Sequence, residues 1–158
     1  VGLPLSLMFV IYDNLATPHM VLAMLIFIWI NDTGAFCTGS LIGKHKLFER
    51  ISPNKTWEGF AGGLIFCVVA AIIMRLCFAN YFDTLPSGKE ISLLQMICFG
   101  ITVSIAATYG DLLESLFKRT CGVKDSGNII PGHGGILDRI DSLLLVIPVS
   151  VIFFIIIN

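Results

Sequence analysis

The stretch PHMVLAMLIFIWINDTGAF, residues 18–36, decides the fold class. From Met20 to Ile30 every side chain is apolar. Thr17 and Pro18 stand in front of it as N-cap and first helical residue, a pairing that suits a helix start because Pro supplies a helical φ and no N–H to be left unsatisfied. In water such a helix would expose apolar surface on all sides. In a bilayer, whose hydrocarbon core is roughly 30 Å thick and takes about 20 apolar residues of helix, it is properly solvated. This first span is expected over about residues 20–37, and further runs of suitable length lie at about 59–79, 93–117 and 142–158. The opening stretch Leu3 to Tyr12 is too short to cross and reads as the tail of a helix.

Composition agrees with these runs. Hydrophobic residues make up 56% of the chain and charged residues 13%, against roughly a quarter charged in soluble domains, and the mean hydropathy is +0.89. A formal net charge of -1 provides no overall field to attract nucleic acid, so none is expected as a partner. The five cysteines are scattered without a C-x-x-C pair and read as small reduced hydrophobes. Residue 1 is Val, and the first apolar run has no basic segment before it and no small-residue cleavage site after it, which argues against a secretory signal. A single membrane-embedded domain, residues 1–158, is expected.

The polar segments between the runs alternate in character. Segment 44–58 carries Lys44, Lys46, Arg50 and Lys55, and segment 118–141 carries Lys118, Arg119, Lys124 and Arg139. Segment 81–92 offers only Lys89 against Asp83 and Glu90, and segment 13–19 has Asp13 and no Lys or Arg. Two spans separate the basic segments, so both fall on one side, which the positive-inside tendency makes cytoplasmic. Arg75, near the outer end of its span, is expected to snorkel to the headgroups. The third run holds Gly100, Thr102, Ser104, Ala106, Ala107, Thr108 and Gly110, small side chains that let helices approach closely and place this span at the centre of the bundle. The expected fold is an all-α, polytopic transmembrane helix bundle with its active site on the cytoplasmic side.

Carboxylates in or beside a span are costly and ask for a use. Asp111, Glu114 and Lys118 lie at i, i+3 and i+7, on one helix face. Asp138 and Asp141 are i, i+3 neighbours just before the last span, and Asp32 reads as the end of the first. The topology gathers Asp32, Asp111, Asp125, Asp138 and Asp141 near one membrane face. Oxygen ligands without Cys or His at zinc spacing suit Mg²⁺ or another hard cation. Helix capping is the simpler account of any one of these residues, and a metal the better account of the set. Among them stand Lys118, Arg119, Lys124, Arg139 and the loop Pro131-Gly132-His133-Gly134-Gly135. Glycines let successive backbone N–H groups point at one anion, and cations neutralise what remains, as metal-assisted phosphoryl chemistry requires. His133 by itself reads as a hydrogen-bonding loop residue before a general base.

The run from Ser115 through Lys118-Arg119, Lys124-Asp125-Ser126-Gly127 and Pro131-Gly132-His133-Gly134-Gly135 to Asp138-Arg139-Ile140-Asp141 resembles the signature of phosphatidate cytidylyltransferases, the CDP-diacylglycerol synthases. Asn31-Asp32-Thr33-Gly34-Ala35, Gly43-Lys44-His45, Ile51-Ser52-Pro53 and Lys55-Thr56-Trp57-Glu58-Gly59 are similar to other polar segments of that family. The resemblance covers roughly residues 20–158. Phe36 stands where an aromatic residue, often Tyr, is usual, and Asn54 where a second Lys is common, which removes a phosphate contact at 54. Family members are usually longer, with helices before this region, so the chain is expected to be their C-terminal catalytic part.

The resemblance implies that CTP and phosphatidate give CDP-diacylglycerol and pyrophosphate, at a site using Mg²⁺ with or without a second cation. It implies metal ligation by Asp111, Asp125, Asp138 and Asp141, and catalytic roles for Lys118, Arg119, Lys124 and Arg139 beside Asp125 and Asp141. Substrate contacts are implied for Asp32, Lys44, Ser52, Lys55, Ser115, Gly132, His133, Gly134 and Gly135. Trp57 has two readings, an aromatic anchor at the bilayer interface or a substrate contact. Membrane lipid as surroundings, a homodimer and, in a bacterium, the inner membrane are the family expectation. Two alternatives are an enzyme using CTP on an isoprenoid lipid, by kinase or cytidylyl transfer, and a cation transporter, whose ionisable groups belong near the midplane. A CDP-alcohol phosphotransferase is set aside because no D-x-x-D-G-x-x-A-R pattern occurs.

Overall fold

The computed structural model describes residues 2–12, 16–49, 51–78, 81, 88, 90–122 and 137–157, with the side chains of 2–5 and 137–140 outside that description. The elements in chain order are α1 (Gly2–Val10), α2 (Pro18–Ile42), β1 (Lys46–Phe48), β2 (Ser52–Thr56), α3 (Trp57–Cys77), α4 (Leu93–Thr120) and α5 (Leu137–Ile157). Among the described residues, α2, α3 and α4 are long and apolar enough to cross a membrane, and the apolar part of α5, Asp141–Ile157, is shorter. The helical bundle expected from the hydropathy pattern is the fold observed.

Local chemistry sets the helix ends. Pro18 occupies the first turn of α2 behind Thr17. Thr56 caps α3 by accepting a hydrogen bond from the Gly59 amide at 3.1 Å. Ser92 and Gln95 form a reciprocal capping box at the start of α4, with Ser92 N donating to Gln95 Oε1 at 2.8 Å and Gln95 N to Ser92 Oγ at 3.2 Å. Arg75, instead of simply reaching outward, donates from Nε to the Ile91 carbonyl at 3.0 Å and ties the end of α3 to the start of α4.

Two features depart from the sequence reading. Helix α2 does not stop near residue 37 but continues to Ile42, so Asp32 lies within it, about 15 Å of helix rise from its last residue. The hydroxyls of Thr33, Thr38 and Ser40 donate to the carbonyls of Trp29, Gly34 and Cys37 at 2.8, 2.7 and 3.0 Å. These polar side chains therefore satisfy themselves on the helix and do not end it. The basic segment after it is an antiparallel hairpin, with Lys46 opposite Thr56 and Phe48 opposite Ser52. The hairpin is held at its base by Glu58, whose carboxylate accepts from His45 N at 3.2 Å and lies 2.7 Å from His45 Nδ1.

Helix α3 packs along α2, α4 packs against both, and α5 covers α4 and meets α1. The core includes Met20, Met24 and Phe27 of α2, Met96 and Phe99 of α4, and Phe154 of α5. Phe99 lies at its centre, with ring centroids 5.8 Å from Phe27 and 5.0 Å from Phe154. Of the small residues of α4, Gly100, Ser104, Ala106, Ala107, Thr108 and Gly110 are buried as expected, whereas Thr102 donates to the Cys98 carbonyl at 2.8 Å outside the core. Ile65, Val69, Ile73 and Leu76 of α3 face outward, a surface suited to hydrocarbon.

Close approach requires glycine at two crossings. A Cβ on Gly63 would lie 2.6 Å from Asn31 Oδ1 and 2.9 Å from the Asn31 carbonyl, so α3 lies on α2 only because Gly63 lacks one. A Cβ on Gly110 would lie 3.1 Å from Ser142 Cα and 3.2 Å from the Asp141 carbonyl. Gly63→Val is expected to destabilise the protein by about 1–3 kcal/mol through overpacking, seen as a lower thermal midpoint in detergent. Ala61→Val, on the exposed face of the same helix, should change it little. Equal midpoints for the two variants would contradict this account of the α2–α3 contact.

Candidate active site

Asp111 and Glu114 stand one turn apart on α4, and α5 brings Asp141 against them. Each of the three offers an oxygen, and these oxygens all lie within 4.8 Å of one another. The crossing at Gly110 makes this meeting possible, since it lets the backbone of Asp141 and Ser142 come up to α4. Hydrogen bonds set the orientation of two of the carboxylates. Asp141 Oδ1 accepts from Ser142 N at 2.6 Å and from Ser142 Oγ at 3.3 Å, and Asp111 Oδ1 accepts from Ser115 Oγ at 3.5 Å. Glu114 is only 5% exposed and has Lys118 Nζ 2.7 Å from Oε2.

The hairpin reaches the same place from above. Lys55 of β2 lies 2.5 Å from Asp111 Oδ2 through Nζ and donates to the Thr108 carbonyl at 3.2 Å. Two lysines thus face three carboxylates. The donor set is all oxygen, of the kind hard divalent cations take, and it fits Mg²⁺.

Two cavities meet at Asp111. One, of about 360 Å³, lies between α2, the hairpin, the start of α3 and α4, with Asp32, Phe36, Ser52, Asn54, Lys55 and Asp111 in its wall. The other, of about 400 Å³, lies between α2, α4 and α5 and is lined by Leu25, Ile28, Trp29, Leu143 and Ser142 together with Asp32, Asp111 and Asp141. Asp32 and Asp111 belong to both walls. Trp29, 70% exposed, stands at the outer edge of the second.

Of the residues singled out in the sequence, Asp32, Ser52, Lys55, Asp111 and Asp141 therefore line these cavities, Ser115 contacts Asp111, and Lys118 contacts Glu114. Lys44 and Arg119 are exposed and line neither. Trp57 is exposed and packs edge-to-face on Phe60, with centroids 6.1 Å apart. Lys124, Asp125, Gly132, His133, Gly134 and Gly135 lie outside the described residues. Asp138 and Arg139 occupy the first turn of α5, with their side chains outside the description. Glu114 shares the helix face of Asp111 in the sequence reading, but its place in the acidic cluster becomes evident only when Asp141 is beside it. Asn31 and Thr108, also at the first cavity, had no assigned role.

Comparison with known proteins gives this arrangement a family. A profile described as the cytidylyltransferase family matches residues 1–157. The chain is 47% identical over 130 residues to a phosphatidate cytidylyltransferase of Staphylococcus saprophyticus, covering 82% of this chain and 46% of that protein. It is 48% identical over 130 residues to one of Staphylococcus haemolyticus, with the same 82% and 46% coverage. A third, from Staphylococcus aureus strain COL, is 46% identical over 132 residues, again with 82% and 46% coverage. The chain thus spans about half the length of the curated relatives it matches. Because the matching profile runs through all of its helices and both walls of the acidic site, the chain belongs to the cytidylyltransferase family.

Proposed function

We propose that the protein transfers the cytidylyl group of CTP to phosphatidate, giving CDP-diacylglycerol and pyrophosphate. The observation that carries this reading is the pair of cavities that share Asp32 and Asp111, one beneath the lysine-bearing hairpin and the other between α2, α4 and α5, where Asp141 joins the wall. The nucleotide is assigned to the first, where Lys55 and Ser52 can meet its phosphates, and the lipid phosphate to the second, beside Asp141 and the exposed Trp29. The relatives named as phosphatidate cytidylyltransferases support the choice of substrates, and nothing in these comparisons favours an isoprenoid substrate or ion transport.

In this reaction a lipid phosphate oxygen attacks the α-phosphorus of CTP, and the bond from that phosphorus to the departing pyrophosphate breaks. The attacking oxygen is already anionic near neutral pH, so the site has no need of a general base. Its task is to bring two polyanions together. Asp111, Glu114 and Asp141 would hold Mg²⁺, joined by Asp125 and Asp138 from the resembling motif. The bound ion, with or without a second cation, supplies charge neutralisation across the reacting phosphate oxygens. Lys55 and Ser52 face the first cavity and would hold the phosphates of CTP, with Lys44 at the base of the hairpin contributing longer-range attraction. Lys118, Arg119, Lys124 and Arg139 would bind the lipid phosphate and the departing pyrophosphate. The loop Gly132-His133-Gly134-Gly135 would offer backbone N–H groups to the same anions.

CTP is water-soluble and phosphatidate stays in its leaflet, so the site is assigned to the cytoplasmic face, of the inner membrane in a bacterium. Surrounding membrane lipid and a homodimeric assembly complete the reading.

The intact protein in detergent, given labelled CTP, Mg²⁺ and a panel of phosphorylated lipids, should release pyrophosphate only when phosphatidate is present. Release that depends on an isoprenoid phosphate, or transfer of the γ-phosphate, would overturn the assignment. Asp141→Asn should lower turnover by at least about a hundredfold, as loss of a metal-holding or metal-orienting group does, while Asp83→Asn should stay near wild type. Equal activity of these two variants would remove the acidic cluster from the mechanism. Glu114→Gln should weaken Mn²⁺ binding by roughly tenfold or more in an equilibrium titration followed by electron paramagnetic resonance; unchanged affinity would exclude Glu114 from the ion site.

A further inference from the structure

We propose that Asn31 is a positioning residue whose buried amide, oriented by Ser104, holds the Asp32 carboxylate at the wall shared by the two cavities. The inference rests on the reaction proposed above for its kinetic consequence and on the geometry alone for the contact itself.

Asn31 is 2% exposed, and Ser104 is fully buried. Asn31 Oδ1 accepts from Ser104 Oγ at 2.6 Å. The Nδ2 end of the same amide faces Asp32 Oδ1 at 3.4 Å and Thr108 Oγ1 at 3.5 Å. Thr108 has one hydroxyl proton, and it is given to the Ser104 carbonyl at 3.0 Å. Its oxygen can therefore only accept from Asn31, as can an ionised carboxylate. Two acceptors on one side and a hydroxyl donor on the other permit a single orientation of the amide. A flipped amide would set its oxygen against Asp32 and Thr108. Space for this arrangement comes from Gly63, whose missing Cβ would otherwise lie 2.6 Å from Asn31 Oδ1. Helices α2, α3 and α4 thus all contribute to one side chain.

Asn31 edges the first cavity, but its two N–H bonds are already directed to protein acceptors. Ser104 lines neither cavity. The effect of the Ser104 hydroxyl on turnover is assigned to Asn31 and, through it, to Asp32.

The test uses the intact protein carrying Asn31→Ala, Ser104→Ala, and both. Asn31→Ala should lower kcat per folded molecule by roughly tenfold to a hundredfold, the range for groups that orient a functional carboxylate, with KM for CTP and phosphatidate near wild type and a lower thermal midpoint from the loss of a buried hydrogen-bonded amide. Ser104→Ala should lower kcat less, and adding it to Asn31→Ala should cost nothing further, since the two act as one unit. In ¹⁵N-asparagine-labelled protein without substrates, the Asn31 side-chain NH₂ resonance should move in both Ser104→Ala and Asp32→Ala. A resonance that ignores Asp32→Ala would overturn the proposal whatever the reaction is. So would independent, multiplying losses in kcat, or losses that merely follow the folded fraction. If the wild-type protein makes no CDP-diacylglycerol while the resonance moves as stated, the reaction assignment fails and the amide–carboxylate link stands.

Discussion

Carboxylates repel one another, and Asp111, Glu114 and Asp141 are held with oxygens within 4.8 Å. At that separation and an effective dielectric of about 20, each pair of ionised groups costs roughly 3 kcal/mol. Such a cluster persists only where the surrounding structure enforces it and positive charge offsets it. The crossing of α4 and α5 at Gly110 provides the enforcement. Lys118, one turn along α4, and Lys55, delivered by the hairpin, provide the offset. The tertiary structure around the site can be understood from this requirement.

The hairpin follows from it directly. Its strands are short, and a two-stranded ribbon alone is marginal in water. Here it is tied near its base by the His45–Glu58 contact and by Lys55 on Asp111. The same ties put Ser52 and Lys55 over the first cavity, so the element that balances the acids also walls the first chamber. On the opposite side, α2 and α5 bring Leu25, Ile28, Trp29 and Leu143 to Asp32, Asp111 and Asp141, and the second chamber joins apolar and acidic walls. Two chambers thus open on one acidic wall formed by Asp32 and Asp111.

Much of this was legible in the sequence because the bilayer imposes a strong length and polarity rule. The apolar runs gave the helices, and the small residues of the third run gave its central position. The end of α2 was not legible, since Asn31-Asp32-Thr33 resembles a helix terminus; the hydroxyls of Thr33, Thr38 and Ser40 turn back onto α2 and let it continue. The hairpin was missed because Lys46–Phe48 and Ser52–Thr56 carry no alternating pattern, and what fixes them is contact with residues distant in sequence. At the site, the i, i+3 spacing put Asp111 and Glu114 on one face, but only the fold brings Asp141 to them. Asn31, although part of a family-like segment, had no assigned role because its partners Ser104 and Thr108 lie on another helix.

The central claim is that α4 and α5 together grip one divalent cation. Anomalous diffraction from crystals of the intact protein grown with Mn²⁺ tests it most directly. The account predicts a peak within bonding distance of carboxylate oxygens from both Asp111 and Asp141. A peak held by neither residue, or these two carboxylates turned toward separate surroundings in the ion-loaded protein, would contradict it.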